Sequence, residues 1–357
     1  MDHAARKKVL AGKAQTVLGP IDPADLGLTL MHEHLLSYAP HIAKEPAEAS
    51  KRARYHEPVS MGNLGEIRFG GLLNLDNCQL DDVETAIDEA RLFKLAGGST
   101  IVEPTSIGIG RDPRGLARIA RATGLNIVMG ASYYVDETHP PARRMTERSE
   151  DEIVDEIVGD VLDGVDGTGV RAGFIGEVGC SRPLTANERK VLRASGRAQR
   201  LTGAPLMIHP GRGYDAPFEI IEVLREVDAD LGRTIMCHVE RTLDREDDVR
   251  RLAETGCILE YDLFGFENSY YPWDLGVDMP TDAQRLRRIR WLIGEGFGER
   301  IVISQDVYFK NKLARYGGHG YAHILNNVVP LMRRQGFTED EIHTLLIDTP
   351  RRYLTFA

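Results

Sequence analysis

Eight short apolar runs alternate with helical patterns along this chain, and that alternation restricts the fold more than any other feature. The first run begins at Thr29 and the last ends at Asp306, and a segment with helical periodicity follows each run. Parallel strands need a long crossover connection, which is usually a helix, so strict alternation indicates a parallel sheet. Eight such units favour a closed barrel over an open sheet. The sequence therefore predicts an α/β fold, the (β/α)8 TIM barrel.

Apolar runs define the predicted strands, and spacing and capping signals define the helices between them. The strands are predicted at 29–36, 99–103, 126–134, 173–180, 205–209, 234–238, 257–262 and 300–306. Thr185 and Glu188 form a capping-box pattern that predicts the start of a helix. Gly97 and Gly98 are expected to end the helix that precedes the second strand.

The domain organisation follows from length and from the absence of a linker pattern. The 357 residues suit one closed barrel of roughly 250 residues with insertions, and no repeat or low-complexity segment divides them. We therefore predict a single domain over residues 1–357. A long polar stretch, 37–78, separates the first strand from the first helix. Connections of that length are usually functional, so we predict an insertion that acts as a lid or an interface arm.

Composition excludes several classes of partner. There are 44 lysine and arginine residues against 54 acidic residues, and no basic tract, which argues against nucleic acid or an anionic membrane as partner. No apolar run is long enough for a membrane span, and Met1 to Gln15 is too polar for a signal peptide. The four scattered cysteines indicate reduced thiols and a cytoplasmic location. A small-molecule substrate is expected, and a homodimer is compatible with these data.

Six side chains of the metal-ligand type lie at the carboxyl ends of five predicted strands, where TIM-barrel active sites form. They are His32, His34, Glu177, His209, His238 and Asp306. A lone buried histidine is usually a satisfied core residue, and Glu177 alone is compatible with a salt-bridged core glutamate. Six such residues at one face of a barrel indicate a site instead. Four histidines and two carboxylates suit zinc, manganese or another divalent metal. Six ligands are more than one tetrahedral zinc ion with an open position can use, so two ions that share a carboxylate are expected.

Other candidates have weaker support. Arg212 follows His209 by three residues, so it is expected on the loop above the site, with an ordinary exposed arginine as the alternative. Tyr134 and Tyr261 end the third and seventh strands and are expected to line the substrate pocket, with aromatic packing as the alternative. A second zinc pair formed by His319 and His323 is disfavoured, because the six-residue set is already complete.

The chain resembles the amidohydrolase superfamily in its His-x-His on strand one, its single histidines on strands five and six, and its aspartate on strand eight. Within that superfamily it resembles the phosphotriesterase family, in particular a phosphotriesterase-related branch that has some members labelled resiniferatoxin-binding. The segments that carry this resemblance are Gln15–Pro20, Thr29–His34, Gly176–Ser181, His209–Arg212, Leu259–Gly265 and Tyr316–Tyr321. The resemblance extends from about Gly12 to the C-terminus.

This resemblance implies a binuclear metal centre. His32, His34 and Asp306 would hold the more buried ion, and His209 with His238 the more exposed one. Zinc is the expected metal, with manganese or cobalt as alternatives. Organophosphate-cleaving relatives bridge their ions with a carboxylated lysine, whereas here Glu177 stands at that position, as in the related branch. This departure argues against phosphotriesters as the native substrate.

The predicted function is hydrolysis of a small ester, lactone or amide by a hydroxide that bridges two metal ions. Asp306 is the expected general base, with simple metal ligation as the alternative. A guanidinium at Arg212 beside two metal ions favours an anionic substrate of the N-acyl amino acid type. Two other functions remain open: phosphotriester hydrolysis, and ligand binding without turnover.

Overall fold

The central element of the computed structural model, which describes residues 9–43, 45–70 and 74–357, is a sheet of eight parallel strands. Each strand pairs with its neighbour in chain order. Labelled β1 to β8, they are Thr29–Leu30, Thr100–Glu103, Asn126–Ala131, Phe174–Gly179, Leu206–His209, Thr234–Met236, Ile258–Tyr261 and Ile301–Ile303.

The two end strands are joined by hydrogen bonds just beyond their carboxyl ends. The amide of Asp306 donates to the carbonyl of His32 at 3.0 Å, and the amide of His34 donates to the carbonyl of Val307 at 3.2 Å. These bonds bring β8 beside β1, so the sheet curls round into a barrel. The predicted (β/α)8 TIM barrel is confirmed.

Helices connect the strands and cover the outside of the barrel. The longer helices are Ala49–His56, Val83–Leu95, Pro113–Thr123, Glu150–Leu162, Ala186–Thr202, Ala216–Glu226, Glu246–Glu254 and Asp282–Gly294. Shorter ones are Leu64–Gly70, Val239–Thr242, Val329–Arg334, Glu339–His343 and Thr349–Leu354. The predicted capping box forms, because Thr185 accepts from the Glu188 amide while the Glu188 side chain accepts from the Thr185 amide. None of the described helices has both the length and the apolar composition that a membrane crossing requires.

Alternating strand residues build two apolar layers. Val102, Val128 and Met207 pack in one cluster with residues of the other strands, which places this cluster inside the barrel. Ile101 and Ile127, one position earlier in β2 and β3, pack against the helices in a second cluster. Strands buried on both faces are the rule in parallel barrels. Tyr353 and Leu354 join the inner cluster from the C-terminal helix, so apolar side chains fill the barrel below the site.

Several predicted strands were too long at their carboxyl ends. Regular pairing in β1 stops at Leu30, so His32 and His34 lie in the segment that follows the strand. The His32 amide donates to the Ser304 hydroxyl at 2.8 Å, and the His238 amide donates to the Asp262 carboxylate at 3.0 Å. The chain leaves the ladder at these points because side-chain oxygens replace the backbone acceptors of a neighbouring strand.

Both ends of the stretch 37–78 contact loops that follow the strands, because the Tyr38 amide donates to the Ile109 carbonyl at 2.8 Å and the Asn311 amide donates to the Asn77 side chain at 2.9 Å. Ser37–Tyr38 pairs with Gln79–Leu80 as a short antiparallel ribbon. Lys310, in the loop after β8, donates to the Asp76 carboxylate at 2.6 Å and ties the end of the stretch to the barrel. Its role as an inserted lid stays a prediction. Residues 44 and 71–73 of this stretch lie outside the described residues, as do residues 1–8 of the N-terminus.

Candidate metal centre and substrate cavity

The six predicted ligand-type side chains meet at the carboxyl end of the barrel, and none is more than 9% exposed. Glu177 comes from β4 and His209 ends β5. The other four follow β1, β6 and β8 within a few residues: they are His32, His34, His238 and Asp306. Five separate strands therefore contribute to one buried cluster.

Glu177 lies between the four histidines. Its Oε2 is 3.0 Å from His209 Nδ1 and 3.6 Å from both His32 Nε2 and His238 Nε2. Its other oxygen, Oε1, is 3.7 Å from His34 Nε2. Two donor atoms that share one tetrahedral ion at about 2.1 Å are roughly 3.4 Å apart, so most of these separations fit ligands of common ions better than hydrogen bonds.

Asp306 lies on the opposite side of the same cluster. Its Oδ1 is 3.4 Å from His34 Nε2 and 3.8 Å from His32 Nε2. Its Oδ2 is 4.0 Å from His238 Nδ1. The three side chains His32, His34 and Asp306 therefore bring their donor atoms close enough to surround one cation.

Three of the histidines form a hydrogen bond between Nδ1, the nitrogen that points away from the cluster, and an oxygen of a neighbouring side chain. The pairs are His32 Nδ1 with Glu260 at 3.0 Å, His34 Nδ1 with Thr105 at 2.7 Å, and His238 Nδ1 with Asp262 at 2.8 Å. Such partners fix the tautomer and leave the other nitrogen free for a metal. His32 Nε2 is fully buried and has no hydrogen-bond partner among the described residues. A buried polar atom that faces two carboxylates without a partner fits a cation site.

The electrostatics of the cluster also favour a cation. Burial raises the pKa of Glu177 to about 8, although His32 opposes the shift. The pKa of Asp306 is lowered, because the hydrogen bond from His34 and the charges of His32 and His238 outweigh the effect of burial. Burial lowers the pKa of His209, and the neighbouring His238 and Arg241 act in the same direction. A positive ion would stabilise the ionised form of Glu177 and use the neutral form of His209.

A cavity opens from this cluster, and its wall includes arginine side chains as well as aromatic rings. The guanidinium of Arg212 lies 5.5 Å from the ring of Tyr271 and 5.9 Å from the ring of Trp273, and Arg212 itself is exposed at the mouth. The hydroxyl of Tyr134 is 3.3 Å from His209 Nε2. Arg212 and Tyr134 therefore both line this cavity, and their contact with a substrate stays a prediction.

Tyr261 does not reach this cavity, which corrects the prediction for that residue. It is 1% exposed and lines a separate cavity with Glu240 and Arg285. The preceding residue, Glu260, points inward to His32, and neighbouring strand residues point to opposite faces. Tyr261 must therefore point outward from the barrel.

His319 and His323 are neighbours, with ring centroids 4.7 Å apart, but they do not join the cluster. His323 Nε2 instead pairs with Asp282 at 2.7 Å.

Arg241 is a cavity residue that the sequence reasoning missed. It is 3% exposed and approaches His209 Nε2 at 3.2 Å. It lies on the polar helix Val239–Thr242, where an arginine is ordinarily exposed. One signal was present in the sequence: Arg241 follows His238 by three residues, as Arg212 follows His209.

Comparisons with known proteins match this architecture over almost the whole chain. The sequence model of the Phosphotriesterase family matches residues 12–354. The N-acetyltaurine hydrolase of Xenopus tropicalis is 44% identical over 348 residues, which cover 97% of this chain and 99% of that protein. A resiniferatoxin-binding protein from Rhodobacter sphaeroides has a TM-score of 0.91 at 40% identity, with 96% of this chain and 95% of that chain covered. A lactonase from Listeria monocytogenes has a TM-score of 0.77 at 25% identity, with 97% and 99% covered.

Proposed function

The chain belongs to the phosphotriesterase family, and from this membership we propose that it is a metal-dependent amidase for short N-acylated amines that end in an anionic group. N-Acetyltaurine, an acetamide with a sulfonate end, represents this class. The relative with 44% identity is named for hydrolysis of that compound. The chain is a hydrolase by family and by relatives, so ligand binding without turnover loses its support.

One observation carries the proposal: five of the six ligand-type residues line the same cavity as Arg212. The cluster supplies the place where an acyl group is attacked, and Arg212 supplies a cation at the mouth, beside Tyr271 and Trp273. A guanidinium binds a sulfonate or a carboxylate through charge-assisted hydrogen bonds. A substrate with a scissile amide at one end and an anion at the other fits both parts of the cavity.

We propose that the cluster holds two divalent ions, zinc first, with manganese or cobalt as alternatives. His32, His34 and Asp306 would hold one ion, His209 and His238 the other, and the Glu177 carboxylate would contact both. When bound, such ions polarise the scissile carbonyl and lower the pKa of a water to roughly 7, which provides a nucleophile at neutral pH. The oxygen atoms of Glu260, Thr105 and Asp262 would keep three of the imidazoles in the orientation that this requires.

Asp306 is the residue that we assign to proton transfer. Its carboxylate faces His32, His34 and His238 inside the cluster, so one of its oxygens would lie where it can accept the proton of the attacking water. It would then deliver that proton to the amide nitrogen as the carbon–nitrogen bond breaks, which releases a free amine and a carboxylate. Lys312 holds the backbone of Asp306 in place by donating to its carbonyl oxygen at 2.6 Å. Tyr134 would contact the substrate near His209.

Phosphotriester hydrolysis is the second candidate within the same family. The resemblance gives organophosphate-cleaving members a carboxylated lysine where this chain has Glu177. Their neutral substrates also have no use for a cation such as Arg212. Both differences favour the anionic amide. A single domain, a homodimer and a cytoplasmic location stay predictions.

The test is a substrate panel on purified, zinc-loaded protein, with N-acetyltaurine, a lactone, a neutral aryl ester and a phosphotriester. Release of free taurine, measured by amine derivatisation, should exceed turnover of the other three in kcat/KM. Arg212→Met should lower kcat/KM for N-acetyltaurine about 10- to 150-fold more than for the ester, because a charge-assisted pair is lost. Arg225→Met removes an exposed arginine from the helix Ala216–Glu226 and serves as the matched control. Lactone or phosphotriester turnover without amide cleavage would overturn the proposal.

A further inference from the structure

Arg241 is a buried cation whose hydrogen-bond partners are all neutral. Its Nη2 donates to the Pro210 carbonyl at 3.0 Å and its Nη1 to the Thr242 hydroxyl at 3.3 Å. The remaining contact is His209 Nε2, at 3.2 Å from Nη2. Within the part of the chain that the structure describes, no carboxylate oxygen lies within ion-pair distance of this guanidinium.

Two other buried arginines of the barrel behave differently. Arg285 contacts Asp282 at 2.9 Å and Glu240 at 3.2 Å, and Arg111 contacts Asp160 at 2.8 Å. A buried charge is costly unless an opposite charge lies next to it. Among the described residues no carboxylate pairs with Arg241, which lines the substrate cavity. Its counter-charge is therefore expected to enter through that cavity.

The contact between Arg241 and His209 depends on which nitrogen of the imidazole carries the proton. His209 faces the cluster with Nδ1, which is 3.0 Å from Glu177 and 2.9 Å from His238 Nε2. An imidazole that holds a cation through Nδ1 keeps its proton on Nε2. That Nε2 is then a donor and cannot accept from Arg241. Nη2 of Arg241 loses an acceptor in this state and can bind a substrate oxygen instead.

Arg241 and Arg212 approach the cavity from different positions along the chain and share one aromatic neighbour. Their guanidinium carbons lie 5.6 Å and 5.5 Å from the ring of Tyr271. Two cations beside one cavity repel each other unless an anion lies between them. A carboxylate presents two oxygens in one plane, which a single guanidinium satisfies. A sulfonate presents three oxygens in a tetrahedral arrangement, which two guanidiniums can bind together.

We infer that Arg241 is a specificity-determining residue that binds a sulfonate jointly with Arg212 and selects N-acyl aminosulfonates over N-acyl amino acids. This inference rests on the proposed function, since it assigns the anionic end of that substrate. Arg241 thus joins Arg212 at the anionic end of the substrate, and the expected anion is a sulfonate.

The test compares a sulfonate with a carboxylate of matched length. N-Acetyltaurine and N-acetyl-β-alanine serve as substrates, and ethanesulfonate and propionate serve as ligands in NMR titrations of the zinc-loaded protein. Wild type should prefer the sulfonate in both assays. Arg241→Met should weaken ethanesulfonate binding about 10- to 150-fold, and propionate binding by less, so that the preference disappears. Arg245→Met, which removes an exposed arginine four residues later, should keep the preference.

Two further measurements keep the inference open to refutation. Equal loss for sulfonate and carboxylate, together with a loss of bound zinc, would mean that Arg241 only braces His209, and would overturn it. If Arg241→Met does not fold, Arg241→Lys replaces it: lysine keeps the charge but not the planar donors, so an unchanged sulfonate preference would overturn the inference. Protein that cleaves no amide yet binds ethanesulfonate through Arg241 would refute the proposed function alone.

Discussion

Glu33 should be a main stabiliser of the junction between β1 and β8, so Glu33→Ala should destabilise the barrel. The side chain has no exposed surface. Its Oε1 accepts from the Ser304 hydroxyl at 2.8 Å and from the Gln305 amide and side chain, both at 2.9 Å. Its Oε2 accepts from the Val307 amide at 3.0 Å. One carboxylate therefore joins the segment after β1 to the segment after β8.

The magnitude follows from the donors that alanine would leave without an acceptor. Gln305 and Val307 are fully buried, and among the described residues Glu33 is the only acceptor for their backbone amides. The side chain of Gln305 keeps a second acceptor, the Tyr321 carbonyl at 3.1 Å. A buried donor without a partner costs about 1–3 kcal/mol, so two amides give a loss of about 4 kcal/mol. At an unfolding entropy of about 2.1 cal/mol/K per residue, Tm should fall by about 5 °C.

Urea unfolding and calorimetry of metal-free protein measure this loss without a contribution from metal affinity. Glu33→Gln keeps one oxygen as an acceptor and should fall between wild type and the alanine variant. Glu84→Ala is the matched control, because Glu84 forms an exposed pair with Arg118 that contributes little. A loss in Glu33→Ala no larger than that of Glu84→Ala would refute the reasoning.

Asp306→Asn should lower kcat by about 10²–10⁴-fold, because the general base is lost, while the protein keeps most of its metal. A kcat within about threefold of wild type would exclude Asp306 as the general base. Metal-free protein should regain activity with zinc or manganese alone. The side chain of Glu177 is already a carboxylate, whereas a carboxylated lysine has to be formed with carbon dioxide. Reactivation that needs added bicarbonate would contradict this prediction. The pKa of Asp282 is lowered, because the hydrogen bonds from His323 and the Gly265 amide outweigh the opposing effect of burial. A lowered pKa adds stability that is lost as the solution is acidified, so below about pH 4 wild type should lose unfolding free energy more steeply than Asp282→Asn. The unfolding free energy of both metal-free proteins is measured by urea titration at several pH values. An equal dependence on pH in the two proteins would contradict this prediction.

Local patterns in the sequence were enough to predict the fold class, the family and the capping of a helix. Strict alternation of apolar runs and helical patterns is a local property, and a parallel barrel is the arrangement that satisfies it. The capping box at Thr185 and Glu188 also depends on neighbours in the chain, so it could be predicted. The six ligand-type residues could be proposed together because parallel strands bring all their carboxyl ends to one face.

Only the tertiary structure decided which buried side chains meet one another. His32 and Glu260 are 228 residues apart, and their contact exists because β1 and β7 face the same barrel interior. Strands buried on both faces lack the alternation of polar and apolar residues, so the sequence does not tell which of two neighbours points inward. For that reason Tyr261 was expected at the site, whereas Glu260 points inward. Arg241 also depends on the tertiary structure, because the pairing of β5 with β6 brings its helix against the carbonyl of Pro210.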